Sequence, residues 1–269
     1  PGAGSDLASL QTRAMPDGDN YVINGSKIWT TGAHNADKIF CLVRTSTEGK
    51  PQEGISFLLF DMDLPGITVK PILTYAGDHE LNQVFFDDVR VPQSSRVGDE
   101  NQGWTVAKYL LEFERGGVPY TPRVKAGLLR LKDMIHKEAG DDGRSLAEDP
   151  DFRGRLAKLE IGIQAAEIIE KRVMSALSQG ENPGYASSIF KLRGSELLQE
   201  MLELTMKTLG NYAAPYQPEA YIFGNNVEAV APDYGLTATS KYYNQRAATI
   251  YAGSSEVQRT ILAKHALGL

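Results

Sequence analysis

The chain has 269 residues, of which 42% are hydrophobic and 23% are charged, and its formal net charge at pH 7 is −6. This composition is ordinary for a globular protein and supplies enough apolar residues for one large domain or two ordinary ones. The acidic balance argues against general nucleic-acid binding, and no apolar run reaches the ~20 residues that cross a bilayer. The single cysteine, Cys41, excludes a disulfide framework and a zinc site, and it predicts a small core residue in a reducing compartment.

The first third of the chain, about residues 8–98, carries short strand signals that proline and glycine separate. Two apolar runs flank Asn24 and Gly25, a dipeptide typical of a tight hairpin turn, so a turn is predicted there. Further strands are predicted at 38–44, 55–60, 67–70 and 83–91. The pattern indicates an antiparallel sheet that forms a barrel or a sandwich.

From about residue 102 the apolar period changes to 3.6, which predicts helices at 102–115, 121–139, 151–180, 186–210, 232–250 and 254–266. Three of these helices are long and carry apolar stripes, an arrangement typical of a helical bundle. The stripes contain Val124, Leu128, Leu131 and Ile135; Leu156, Leu159, Ile163, Ala166 and Ile169; and Leu192, Leu197, Leu198, Met201, Leu202, Thr205 and Leu209. We therefore predict a β domain at 1–98 and a helical domain at 99–269.

Four segments follow one another along the chain: PGAGSD at 1–6, YVINGSKIWTTGA at 21–33, LEFERGG at 111–117 and IYAGSSEVQR at 250–259. Together with the domain order, they resemble the middle and C-terminal domains of the acyl-CoA dehydrogenase family over essentially the whole chain. The resemblance implies an α+β multidomain fold, an antiparallel β-barrel or sandwich domain followed by an all-α helical bundle. The family's N-terminal α domain is absent from the sequence, so we expect a fragment or a processed chain that alone binds flavin weakly and turns over slowly or not at all.

The resemblance also implies a cofactor, FAD, and a set of binding residues. It assigns to FAD the residues Ser5, Trp29, Thr31, Gly253, Ser254 and Glu256, and to the acyl-CoA substrate Ser5, Glu112 and Arg115. These residue types suit the task, because an indole can cover a flavin ring and a helix start offers free amides to an anionic group.

Each of these segments also has a purely structural interpretation, which the residues alone leave open. Ser5 fits a surface turn, the Trp-Thr-Thr run fits an ordinary strand, and Ser255 with Gln258 fits a capping box at a helix start. The Gly2-x-Gly4 spacing does not indicate a dinucleotide-binding fold, because the β half lacks the βαβ alternation of that fold.

The catalytic base departs from the common pattern of the family. Most members carry a glutamate between the tyrosine and the glycine of the last segment, where this chain has Ala252. The isovaleryl- and long-chain-type dehydrogenases place it on another helix, directly before a CoA-binding arginine, and here Glu114 directly precedes Arg115. Helical spacing puts Glu114 on the apolar face of Ala107, Leu110 and Leu111, where a desolvated carboxylate is a stronger base. The alternative is a solvated helix end.

The implied function is that of an FAD-dependent acyl-CoA dehydrogenase. Glu114 would remove the α-proton of an acyl-CoA thioester while the β-hydrogen leaves as hydride to flavin N5, which produces an α,β double bond. The expected acceptor is an electron-transfer flavoprotein. The expected assembly is a homo- or hetero-dimer or tetramer with no membrane span, in a bacterial cytoplasm or a mitochondrial matrix.

Two alternative functions stay open at this point. One is an acyl-CoA oxidase or a flavin monooxygenase of the same fold. The other is a non-catalytic subunit of a mixed oligomer, which Ala252 favours, as does the loss of the family's Arg-x-x-Phe-Gly segment from 140–154. No metal site is predicted, because the four histidines lack metal-ligand spacing and are each expected on the surface or in a loop: His34, His79, His136 and His265.

Overall fold

The computed structural model describes residues 1–117, 121–181 and 184–269, and for 112–117 it gives the helical backbone without the side chains. The described residues form two contact units, Pro1–Thr74 with Asp78–Phe113 and Tyr75–Gly77 with Glu114–Leu269. Each unit has its own hydrophobic core. We keep the domain boundary between residues 98 and 99 as a proposal.

The first unit is built on a six-stranded sheet. Its strands are β1 (Arg13–Asp17), β2 (Asn20–Lys27), β3 (Lys38–Arg44), β4 (Ile55–Asp61), β5 (Ile67–Ile72) and β6 (Leu81–Pro92). They lie in the order β4-β3-β1-β2-β6-β5, and all neighbours are antiparallel except β1 and β3, which are parallel where Arg13 pairs with Arg44. Alternate residues of the strands fill one core that includes Tyr21, Ile23, Cys41, Val43, Leu58, Val84 and Val89. The predicted β domain and the core position of the cysteine are confirmed.

The hairpin predicted at Asn24 and Gly25 is wrong, because both residues lie inside β2. The turn that joins β1 to β2 lies at residues 18 and 19, and Gly18 takes the positive φ of 58° that this turn needs. Pro16 concealed β1 in the sequence, since proline within an apolar run argues against a strand. The strand tolerates Pro16 because its pairing with β3 is confined to one residue at its start.

The asparagine-glycine pair forms an irregularity between β2 and β6 instead of a turn. Asn24 Nδ2 donates to Asp88 Oδ1 at 2.9 Å, and Asn24 Oδ1 accepts from the Asp88 amide at 3.0 Å. The register of the two strands shifts between Ile23 and Gly25. The side chain of Asn24 therefore pairs with Asp88 at the point where the ladder is interrupted.

The described residues contain six α-helices. They are α1 (Gly103–Gly117), α2 (Thr121–Lys137), α3 (Pro150–Ser178), α4 (Ala186–Leu209), α5 (Ala238–Asn244) and α6 (Ser255–Ala266). The predicted stripes of α2, α3 and α4 face one another and form the core of the second unit, which contains Val124, Leu128, Leu131, Ile135, Leu159, Ile163, Leu197, Leu198 and Met201. The helical bundle is confirmed.

The helix predicted at 232–250 is wrong in its length. Pro232 and Gly235 form turns, with the Gly235 amide donating to Pro232 O at 2.7 Å and the Ala238 amide donating to Gly235 O at 2.9 Å. The α-helix begins only at Ala238, and a 3-10 helix, Gln245–Thr249, continues the chain. The turns at Pro232 and Gly235 therefore place the start of the α-helix later in the chain than predicted.

Two kinds of feature are absent from the residues that the structure describes. None of their helices combines the length and the apolar character that a bilayer crossing requires. They also contain no cluster of three or more His, Cys, Asp or Glu side chains arranged to hold a metal ion. The four histidines are exposed, as predicted.

Candidate functional site

The segment 29–31 follows β2 and has an unusual backbone. The strand ends at Lys27, so the interpretation of the Trp-Thr-Thr run as an ordinary strand is wrong. Trp29 has a φ of 63°, and 61% of the residue is exposed. A bulky residue in the left-handed region is an outlier that persists only where its surroundings hold it, and such outliers cluster at binding sites.

The ladder with β6 resumes immediately after Trp29. The Thr30 amide donates to Asn82 O at 2.9 Å, and the Asn82 amide donates to Thr30 O at 3.1 Å. The Gly32 amide then donates to Glu80 O at 2.9 Å. The interruption at Trp29 therefore lies between two paired stretches, with its indole exposed and with Thr31 exposed two residues later.

Ser5 lies exposed in a bend before a short 3-10 helix, Leu7–Ser9. The guanidinium of Arg44 on β3 secures the chain that follows, because Arg44 Nη2 donates to Ala8 O at 2.6 Å and Arg44 Nε donates to Leu10 O at 3.3 Å. Ser5 therefore stands on an anchored segment, in agreement with either a surface turn or a ligand contact.

The start of α6 contains two consecutive residues with positive φ, Ala252 at 54° and Gly253 at 86°. Ser254 caps the helix, and its hydroxyl accepts from the Val257 amide at 3.4 Å. The capping box predicted at Ser255 and Gln258 is therefore wrong, and the cap lies one residue earlier. The two left-handed residues turn the chain sharply into the helix.

Lys191 on α4 holds this turn, although the sequence did not single it out. Its ammonium group donates to Gly253 O at 2.6 Å, and only 3% of the residue is exposed. Gln258 Nε2 reaches the same carbonyl at 3.4 Å. A lysine between buried apolar neighbours on a bundle helix was the available sequence signal, since lysine is rarely buried without a partner.

Polar atoms of α6 give the helix start its electrostatic character. The Oγ of Ser255 and the Oε1 of Gln258 are buried and have no hydrogen-bond partner within the described residues. The pKa of Glu256 is lowered, first by a hydrogen bond from its own backbone amide and then by one from the Ser254 hydroxyl. A negative Glu256 at the positive end of the helix suits hydroxyl or amino donors better than a second anion.

The predicted base lies on α1, whose backbone is helical through residue 117. The side chains of Glu112, Glu114 and Arg115 lie outside the described residues, so their roles stay predictions. On the predicted apolar face of this helix Ala107 is buried, whereas 39% of Leu110 is exposed.

The predicted residues thus fall into separate groups. Trp29 and Thr31 share one segment of the first unit, where Ser5 lies on a different segment. Gly253, Ser254 and Glu256 share one helix start of the second unit. An open groove of about 530 Å³ in the first unit is lined by His34, His79 and Asn82 among others, and it includes none of the predicted site residues.

Models of protein families match both parts of the chain. The middle domain of acyl-CoA dehydrogenase matches residues 1–89, and the C-terminal domain of acyl-CoA dehydrogenase matches residues 101–267. The chain belongs to the acyl-CoA dehydrogenase family. The resemblance stated from its four segments is therefore confirmed at the level of the family, and the subgroup with the displaced glutamate stays a prediction.

Two curated relatives of the chain come from Mycobacterium tuberculosis. The chain is 35% identical over 272 residues to the acyl-CoA dehydrogenase IpdE1 and 32% identical over 269 residues to the acyl-CoA dehydrogenase FadE34. Both alignments cover 100% of this chain, but 65% of IpdE1 and 34% of FadE34. The chain therefore spans less than two thirds of the length of these relatives.

Solved structures share the fold. The ChsE4-ChsE5 complex from Mycobacterium tuberculosis matches with a TM-score of 0.85 and 32% identity over 100% of this chain and 67% of that chain. The Tcur3481-Tcur3483 steroid ACAD matches with a TM-score of 0.85 and 30% identity over 100% of this chain and 66% of that chain. These likenesses confirm the β domain followed by a helical domain.

Proposed function

We propose that the protein to which this chain belongs is an FAD-dependent acyl-CoA dehydrogenase, which introduces an α,β double bond into an acyl-CoA thioester. The observation that carries the proposal is the match to both domains of the family along the chain. Relatives that are named acyl-CoA dehydrogenases and align with the whole chain support it.

The segment 29–31 fits the flavin ring of FAD. Trp29 offers an exposed apolar plate on a backbone that its neighbours hold in the left-handed region. Thr31, also exposed, carries a hydroxyl that can donate to a ring nitrogen or oxygen. We assign both residues to the flavin, and Ser5 to a phosphate of FAD or to the acyl-CoA.

The start of α6 fits the ribose and adenine part of FAD. Buried polar atoms nearly always have a partner, and Ser255 Oγ and Gln258 Oε1 have none among the described residues. A polar ligand at this helix start would supply one. We assign Gly253, Ser254 and Glu256 to this contact.

The proposed chemistry divides between the cofactor and the protein. When bound, FAD supplies the acceptor for the hydride that leaves the β-carbon of the substrate. We assign the removal of the α-proton to Glu114, and the binding of the acyl-CoA substrate to Arg115 and Glu112, since a guanidinium suits the phosphates of CoA. Ala252 has no titratable group, so the start of α6 contributes binding without proton transfer.

The test of this function uses Glu114→Gln in the full-length protein. Loss of the visible flavin absorbance on anaerobic addition of acyl-CoA reports the reductive half-reaction. We expect the rate to fall by about 10²-fold or more, the usual contribution of a positioned base, with FAD content unchanged. The matched change Glu112→Gln, two residues earlier on the same helix, is expected to raise KM and to leave most of the rate. An unchanged rate in Glu114→Gln would exclude this residue as the base.

The alternative functions have distinct outcomes in the same experiment. A protein that purifies without FAD and gains none on addition would be a non-catalytic subunit, the alternative that Ala252 favours. Hydrogen peroxide formed on substrate addition in air would identify an oxidase. Reduced flavin that is stable in air and transfers electrons to an electron-transfer flavoprotein supports the dehydrogenase.

Two of the similar structures support a proposal for the acyl group and for the assembly. The Tcur3481-Tcur3483 steroid ACAD and the ChsE4-ChsE5 complex are each named for two proteins, and the first is named for a steroid. We therefore propose a bulky acyl group as substrate and a mixed oligomer with a second family member as the assembly. A panel of straight-chain, branched and steroid-derived acyl-CoA thioesters in the bleaching experiment tests the first part. Native mass determination of the co-expressed subunits tests the second.

A further inference from the structure

The side chain of Asn82 is fully buried on β6 and makes three polar contacts. Its Nδ2 donates to Thr30 O at 3.1 Å and lies 3.0 Å from His34 Nδ1, and its Oδ1 lies 2.7 Å from His79 Nε2. The rings of the two histidines stack, with centroids 4.0 Å apart. The side-chain amide of Asn82 therefore connects Thr30 with His34, which lie on either side of Thr31 and Gly32.

The orientation of this amide follows from Thr30. The carbonyl oxygen of Thr30 can only accept hydrogen bonds, and a flipped amide would place Oδ1 against it, oxygen facing oxygen. With Nδ2 toward Thr30, the same nitrogen donates to a bare Nδ1 of His34, and the Nε2–H of His79 donates to Oδ1. The donors and acceptors of the group match only in this arrangement.

The contacts of Asn82 lie next to Trp29, the residue of this segment with the unfavourable backbone conformation. Trp29, with a φ of 63°, lies directly before Thr30, whose carbonyl accepts from both the main-chain amide and the side chain of Asn82. His34 lies beyond Thr31 on the other side. A left-handed tryptophan is unfavourable in isolation, so the partners that fix the residues after it determine whether it persists.

We propose that Asn82 is a positioning residue that sets the conformation of the segment 29–31 and so fixes the direction of the Trp29 indole. The proposal rests on the proposed function only for what the segment faces, the flavin. The position of Asn82 on a paired strand gives the support a rigid base, which sites on loops otherwise lack.

The experiment labels the full-length protein with 5-fluorotryptophan and follows Trp29 by ¹⁹F NMR without FAD. The Trp29 resonance is assigned by its loss in Trp29→Phe. In Asn82→Asp, which keeps an acceptor for His79 but loses the donor to Thr30, we expect this resonance to shift or broaden. The control is Asn24→Ala, which removes another strand asparagine whose partner is Asp88, and it should leave the Trp29 resonance in place.

A second variant keeps the test open if the buried substitution unfolds the protein. His79→Leu, at an exposed position, removes the donor to Oδ1 and leaves the ladder between Thr30 and Asn82 intact; a smaller shift of the same resonance is expected. A folded Asn82→Asp or His79→Leu protein with an unmoved Trp29 resonance would overturn the proposal.

FAD titration separates this inference from the function. We expect Asn82→Asp to raise the Kd for FAD by about tenfold or more, because a displaced Trp29 indole loses its contact with the flavin ring. If Trp29 moves but neither Asn82→Asp nor Trp29→Phe changes the Kd, the positioning role stands and the assignment to flavin fails. If Trp29→Phe weakens FAD binding and the resonance does not move in Asn82→Asp, the assignment stands and the positioning role fails.

Discussion

The buried ammonium group of Lys191 donates to the main-chain carbonyl of Gly253 across 2.6 Å. The two residues lie 62 positions apart in the chain, one on the bundle helix α4 and the other in the left-handed turn before α6. A charged donor in a buried site forms a strong hydrogen bond, and here it holds the carbonyl of a residue with positive φ. The start of α6 is therefore held by the helical bundle as well as by its own cap.

Replacing this lysine should loosen the turn. We expect Lys191→Met, which keeps the length of the side chain and removes the donor, to lower the free energy of unfolding by about 1.5–3 kcal/mol, the usual range for a hydrogen bond to a charged group. Urea unfolding measures the change. Lys207→Met on the exposed side of the same helix, where Lys207 pairs with Glu203, should lose less than about 1 kcal/mol. Equal losses in the two variants would contradict the role of Lys191.

The sequence predicted those parts of the fold that depend on local periodicity. The structure has the predicted apolar stripe of α2, from Val124 to Ile135, and the predicted boundaries of β3. Both were predictable because burial of one face of an element produces its apolar pattern directly. It failed where a distant partner decides the local structure. Asn24 pairs with Asp88 and Trp29 depends on Asn82, and neither partner leaves a trace near these residues in the sequence.

In the candidate site, too, some features could be predicted from the sequence and others depend on distant contacts. The cap of α6 was placed one residue too late, because Ser254 and Ser255 are equally good capping residues and only the geometry selects between them. The apolar neighbours of Lys191 mark it in the sequence as a buried lysine, but its partner, the carbonyl of Gly253, lies 62 positions away and leaves no local pattern. The family resemblance supplied the segments that we assign to the flavin, and the residues that support them required the three-dimensional structure.

A second buried charge supports the start of α2. Glu170 on α3 is 8% exposed, and its Oε2 accepts from the amide of Thr121, the first residue of α2, at 3.2 Å. We expect Glu170→Ala to lower the free energy of unfolding by about 1–3 kcal/mol, because it leaves a buried amide without its acceptor. Glu170→Gln keeps a carbonyl acceptor and should lose less. Urea unfolding checks this order, and a Glu170→Gln protein as unstable as Glu170→Ala would show that the charge, not the acceptor, matters.

The carboxyl group of Glu256 predicts a pH dependence. Its pKa is lowered from 4.5 in the folded protein, so its charge stabilises the fold above the unfolded pKa, and this contribution is lost as the pH falls through the lower folded value. Glu256→Gln should therefore make the acid decline in stability shallower. The measurement is urea unfolding at a series of pH values from about 6 down to 3, the range around an ordinary carboxyl pKa. Glu203→Gln, the same change at an exposed site on α4, serves as the control, and identical slopes for the two variants would contradict the prediction.

Ala252 offers a direct test of the displaced base. The family usually has a glutamate at this position, and the backbone of Ala252 already has a φ of 54°, so Ala252→Glu adds a carboxylate without new backbone strain. The residue is exposed, which leaves room for the longer side chain. In the full-length protein we expect the double variant Glu114→Gln with Ala252→Glu to recover at least about tenfold of the reductive rate that Glu114→Gln loses, because a second carboxylate near the same α-carbon can accept the proton. The comparison is anaerobic flavin bleaching in the single and double variants, with FAD content measured in each. A double variant that retains FAD but reacts no faster than Glu114→Gln would place position 252 out of reach of the substrate.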